Sequence, residues 1–274
     1  TADGRTITID GRETAPALSS PDMYRGPDGQ IDPSLSKTGP LAVGTPGALA
    51  AYQRALDVAG RLDLADVLRP AADLAESGFV IDEVLARRIE RTADHLRRDP
   101  GAAAVYLAAD GAAPSAGSTF RNPDLAATYR AIADNGIDWF YRGPFAERVS
   151  TWMAEHGGRL RAGDFAAYQP RMRQAVDSTY RGYRIVGFPP PSSGGVHVAQ
   201  ILNICERFDL AGLYRDNPAD FVHVVAEAQK LAFADRAHWL GDSDFADVPR
   251  GLIDKDYAAS LAKRIDMTRA INVE

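Results

Sequence analysis

The sequence holds a single cysteine, Cys205, so no disulfide can close within the chain, and cysteine usage does not name a compartment. That residue ends the stretch Ile201-Leu-Asn-Ile-Cys205, an apolar helical pattern in which it reads as a small buried hydrophobe. No apolar run reaches the roughly 18 residues that a membrane-spanning helix needs. No leader with a charged start and an apolar centre is visible. A basic excess is also missing: 31 Lys and Arg stand against 37 Asp and Glu, for a net charge of −6 and a pI near 5.4. This removes the electrostatic footprint of a nucleic-acid binder. The short basic pairs Arg87-Arg88 and Arg97-Arg98 are interleaved with acids and read as a solvated helix face.

Several catalytic and binding signatures are absent as well. No lysine follows Gly194-Gly195, the Walker spacing is missing, and no dinucleotide-binding glycine fingerprint is found. There is no G-x-S-x-G nucleophile turn. Asp242-Ser-Asp244 lacks the glycine and terminal glutamate of a calcium loop. His223 and Glu227 lie four apart on one helix face, but no second histidine joins them at ligand spacing. Helix-face hydrogen bonding is the expectation there, and neither a metal nor an organic cofactor is implied.

What remains is an ordinary globular composition, with 45% hydrophobic and 25% charged residues over 274 positions, enough to bury a substantial core. Arg5-Thr-Ile-Thr-Ile-Asp10 alternates with period two and predicts a strand, with a turn at Asp3-Gly4. Ser19 to Pro40 reads as a loop rich in Pro, Gly and Ser. Thr45-Pro46 is expected to cap a helix ending at Gly60, and Leu64 to Ser77 to be helical but broken at Pro70, with Gly78 as the end cap. Further helices are expected from Asp82 to Arg98, from Asn122-Pro123 to Gly136, from Pro144 to Gly157-Gly158, and from Asp164 to Tyr168. A hairpin is expected around Tyr180-Arg-Gly-Tyr183. Helices then follow over 195–208, 217–240 and 255–265.

Two stretches carry more than secondary structure. In Gly187-Phe-Pro-Pro-Pro-Ser-Ser-Gly-Gly-Val-His197, prolines fix φ and end a strand, a serine can cap the apolar helix that follows, and glycines permit close backbone approach. On periodicity this is a rigid strand-to-helix elbow. In Asp10-Gly-Arg-Glu-Thr-Ala-Pro16, an arginine at a strand end can present its planar fork to a carboxylate, unless it is a surface arginine paired with Glu13 or Asp10.

Taken together, the chain resembles the γ-glutamyltransferases, a family of the N-terminal-nucleophile hydrolases. The matching stretches run nearly end to end: Ile9 to Pro16, Val43 to Gly47, Pro70 to Phe79, Asn122 to Ala126, Phe140 to Gly143, Tyr180 to Tyr183, Pro189 to Gly195, and Glu227 to Arg236. The R-E-T-A-P and proline-serine-glycine blocks are the specific ones. The resemblance implies an α+β fold, the αββα four-layer sandwich, of which residues 1–274 are the helix-rich large-subunit portion. It also implies a precursor that cuts itself into a heterodimer. The companion small subunit would carry an N-terminal threonine nucleophile, act on γ-glutamyl compounds such as glutathione, and be exported to the periplasm or beyond the cell. Arg12 matches the arginine that binds the α-carboxylate of the γ-glutamyl group, and is the one substrate-binding residue carried over; no catalytic residue is expected in this stretch. Thr1 precedes the R-E-T-A-P strand and is read as an accident of truncation, and Thr268 lacks the expected processing pattern. Ser192 and Ser193 are not read as catalytic. Sister activities on the same fold stay open, namely a glutaryl or cephalosporin acylase and a polyglutamate capsule transpeptidase, as does a non-catalytic binding module.

Overall fold

The computed structural model describes residues 1–273. The chain divides into two compact units. One comprises Ile9–Arg171; the other comprises Thr1–Thr8 and the residues from Met172 onward.

Strand β1 (Thr8–Asp10) leads into the first unit and is shorter than the alternating pattern suggested. The unit continues with α1 (Ala48–Ala59), α2 (Leu64–Ser77), β2 (Phe79–Val80), α3 (Glu83–Leu96), α4 (Pro100–Tyr106), β3 (Thr119–Phe120), α5 (Pro123–Asn135), α6 (Asp138–Tyr141), α7 (Pro144–Glu155) and α8 (Ala162–Ala167). Thr45 does not cap α1. It exchanges main-chain hydrogen bonds with Thr14, at 2.8 and 3.3 Å, so the helix starts two residues beyond Pro46 behind Gly47. Nor does Pro70 break α2, which runs unbroken through it. Asp63 and Asp66 form a reciprocal capping box at its start, and Leu64 and Leu68 are buried with Ile132 of α5. Burying each leucine contributes about 1.5–3 kcal/mol, enough together to outweigh the hydrogen bond that the proline removes. The caps expected at Asp82 and Asn122 are present: their side chains accept the Leu85 and Leu125 N–H groups at 2.7 and 3.0 Å. A second cluster of this unit gathers Tyr141, Met153, Leu160, Phe165 and Tyr168.

Strand β4 (Arg171–Arg173) leads to the other unit, which holds β5 (Val176–Tyr180), β6 (Tyr183–Gly187), α9 (Ser193–Cys205), α10 (Leu210–Asp216), α11 (Pro218–Trp239) and α12 (Lys255–Ala262). β5 and β6 form the expected antiparallel hairpin, with Tyr180 opposite Tyr183. Its two central residues have φ of 48° at Arg181 and 85° at Gly182, the positive values that a tight hairpin turn demands. Helix α9 packs on α11 and α12, and Ile204, Leu231, Leu261 and the free thiol of Cys205 share the buried cluster between them. The seven-residue helices α4 and α10 were not expected; each is capped by an aspartate, Asp99 or Asp209.

Candidate functional site

Arg12 lies two residues beyond β1, and the structure fixes its main chain on both sides. Its N–H donates to the buried Asp10 carboxylate at 2.9 Å, and its carbonyl accepts the Tyr168 hydroxyl at 2.8 Å. Tyr168 stacks on Tyr141, whose hydroxyl donates to the Pro46 carbonyl at 2.8 Å and accepts the Ala50 N–H at 3.2 Å. Burial, followed by the proximity of Tyr141, Asp10 and Glu13, pushes the Tyr168 phenol up to about 12, so it stays a protonated donor. Two glycines let the backbones approach. A Cβ on Gly11 would come within 2.5 Å of the Ala51 Cβ, and one on Gly47 would overlap the Tyr168 hydroxyl. Farther along, Ala17 N–H donates to Asp164 at 2.8 Å, and the other oxygen of that carboxylate accepts the Arg161 N–H at the start of α8. The R-E-T-A-P segment is thus held along its length.

The Arg12 side chain is not held in the same way. It is 55% exposed and meets Glu13 only at 4.0 Å, a loose pairing of little energetic weight. A pinned backbone therefore carries a solvent-exposed guanidinium. It lines none of the three clefts of this unit around α3, α4 and α7.

In the other unit, the proline-serine-glycine stretch is the elbow that its sequence suggests. The Pro190-Pro191 peptide is cis, and Ser192 caps α9 by accepting the Gly194 N–H at 3.3 Å. Gly195 N–H returns to the Phe188 carbonyl at 3.1 Å, and a Cβ on Gly195 would overlap that same oxygen. His197 is buried one turn into the helix against Gln200 at 3.1 Å, and burial holds its imidazole below the ordinary value. A cleft of about 480 Å³ opens beside the elbow, lined in part by Pro189, Pro190, Val196 and Arg173. Arg173 closes bidentately on Asp244 at 3.0 Å and also donates to Ser243 at 3.1 Å. Asp242-Ser-Asp244 is therefore an arginine clasp. Among the described residues no group of three or more His, Cys, Asp or Glu side chains is gathered in a way that could hold a metal ion.

The elbow was legible in the sequence, whereas Tyr168, Tyr141 and the Arg173 clasp were not. Each of these works across 70 or more positions, a separation that leaves no periodic trace. The two tight glycines were the one local hint that something packs closely there.

The family model described as gamma-glutamyltranspeptidase matches residues 1–273. The chain belongs to the gamma-glutamyltranspeptidase family. Over 97% of its length it is 40% identical to a glutathione hydrolase proenzyme of Escherichia coli, covering 46% of that protein. Over 98% it is 41% identical to an acylase ACY 1 proenzyme of a Pseudomonas species, covering 49% of it. The chain thus spans about half the length of these curated relatives. Among solved structures, the gamma-glutamyltranspeptidase of Helicobacter pylori superposes with a TM-score of 0.91 at 34% identity, covering 97% of this chain and 76% of that one. As a gamma-glutamyltranspeptidase family member, the chain has the α+β fold of the N-terminal-nucleophile hydrolases.

Proposed function

We propose that residues 1–274 are the large-subunit portion of an enzyme that transfers γ-glutamyl groups from glutathione and related donors to water or to an amino acid. The nucleophile in this reading is an N-terminal threonine on a small subunit from the same precursor. Its hydroxyl attacks the γ-glutamyl carbonyl while its own amine takes the proton. The tetrahedral intermediate collapses to an acyl-enzyme ester, and the leaving amine departs with a proton. Water or an acceptor amine then attacks the ester and releases the threonine. This chain contributes the grip on the donor. The observation that carries the reading is Arg12: its backbone is pinned by Asp10 and Tyr168, yet its fork is largely uncommitted. Two parallel N–H donors match the two oxygens of the donor's α-carboxylate and place the far end of the glutamyl group.

A charge-assisted contact of this kind contributes about 1.5–3 kcal/mol. Arg12→Ala in the full-length, processed protein should therefore raise KM for γ-glutamyl donors by roughly 10- to 150-fold and leave kcat less affected. An unchanged KM would remove Arg12 from the site. The isolated residues 1–274 should release no γ-glutamyl group, and measurable release would overturn the assignment of the nucleophile to another polypeptide.

The near-equal identity to the acylase proenzyme supports one rival reading. A glutaryl donor keeps the distal carboxylate and lacks only the α-ammonium, so Arg12 would serve both donors equally. Comparing γ-glutamyl and glutaryl anilides decides between them, since a preference for the glutaryl compound would make the protein an acylase. Export to the periplasm or beyond the cell belongs to the same proposal, and is checked by locating the protein after cell fractionation.

A further inference from the structure

Helix α11 carries His223, Glu227 and Lys230 at intervals of four and three, which places them on one face. Residues 266–273, beyond α12, run across that face. The His223 ring meets the Asp266 carbonyl at 2.9 Å through Nε2. One oxygen of Glu227 accepts the Ile271 N–H at 3.1 Å and the other accepts the Lys230 ammonium at 2.8 Å. The same ammonium donates to the Ile271 carbonyl. Ile271 and Val273 pack against the cluster of Ile204, Leu231 and Leu261.

The Glu227 side chain is only 3% exposed. Burial by itself raises its carboxyl, but Lys230, the Ile271 N–H and His223 more than reverse this and leave it below its ordinary value. A buried carboxylate needs several partners, and part of that need is met here by the main chain of the strap. Between them, the two charges satisfy both polar groups of one residue, as a neighbouring strand would. Neither of them touches the Ile271 side chain through these bonds, so they select backbone rather than sequence; the apolar side chains of Ile271 and Val273 supply the remaining affinity.

We propose that Glu227 and Lys230 form a binding site for peptide main chain, filled here by Ile271 of the chain's own residues 266–273, which they hold as a releasable strap. The site is independent of Arg12 and of the γ-glutamyl reading.

The test is hydrogen exchange of the fragment spanning 266–273, together with tryptic cleavage after Arg269, whose side chain is already 81% exposed. The full chain is compared with Glu227→Gln, Lys230→Met and Ile271→Pro; the last deletes the N–H and spares the ion pair. Each variant should speed strap exchange and cleavage by about ten- to a hundredfold, the span expected for losing a hydrogen bond to a charged group. Protection of α11 should be unchanged. The glutamate and lysine changes combined should cost less than the sum of the two, because the residues share an ion pair and a partner residue. Strap protection that survives Ile271→Pro would overturn the proposal. So would exchange that rises across α9, α11 and the strap together, since the pair would then be holding the core rather than a strap.

Discussion

Arg12 owes its posture to atoms that are not its own. Gly11 and Gly47 let its segment lie close to the start of α1, and the Tyr168 hydroxyl fastens its carbonyl. Gly47→Ala should therefore cost about 1–3 kcal/mol in chemical denaturation, because the added methyl overlaps a buried phenol that cannot move freely. Gly163→Ala is the control. Nothing lies within 4 Å of a Cβ there, the residue sits inside α8, and the change should stabilise by about 0.4–1 kcal/mol. Equal effects of the two would mean that backbone freedom, not close approach, explains Gly47. At this scale the sequence was half legible. An arginine after an alternating strand announces itself, whereas a tyrosine 156 positions away that fixes its carbonyl does not.

Among the elements, legibility followed capping chemistry. Asp82, Asn122, Gly78 and Gly136 marked helix ends locally, and the structure places those ends where they were read. The readings that failed were the ones that packing overrides. Thr45 was diverted into pairing with Thr14, and Pro70 is carried by a helix whose buried face is stronger than its weakest residue. The seven-residue helices α4 and α10 are too short for a periodic pattern to stand out. Because Pro70 is exposed and costs α2 one main-chain bond, Pro70→Ala should raise stability, by up to about 3 kcal/mol, as a higher denaturation midpoint. A lower midpoint would show that the proline shapes the helix in a way the packing requires.

For the whole molecule, the carboxylates decide how acid is tolerated. The Arg181 N–H, and after it Lys255, hold Glu206 below its ordinary 4.5, and Glu227 is depressed as well. A depressed carboxyl stabilises the fold fully above its unfolded value, and that contribution is lost as pH falls through the folded one. Thermal stability should thus begin to fall below about pH 6.5, where the buried His197 resists a proton that the unfolded chain accepts, and decline further below about pH 4.5; Glu206→Gln should flatten that second part. An unaltered slope in that variant would place the acid sensitivity elsewhere. At this largest scale the sequence revealed the family through the order of its blocks, yet could not show how far Arg12 depends on distant tyrosines, because such partnerships exist only in the folded chain. The solitary thiol offers a way to watch that fold open. Cys205 is 4% exposed and burial raises its pKa, so a chromogenic disulfide reagent should meet it only when the cluster around α9 parts. With one thiol per molecule, the colour released in excess reagent is a single-site clock for that opening.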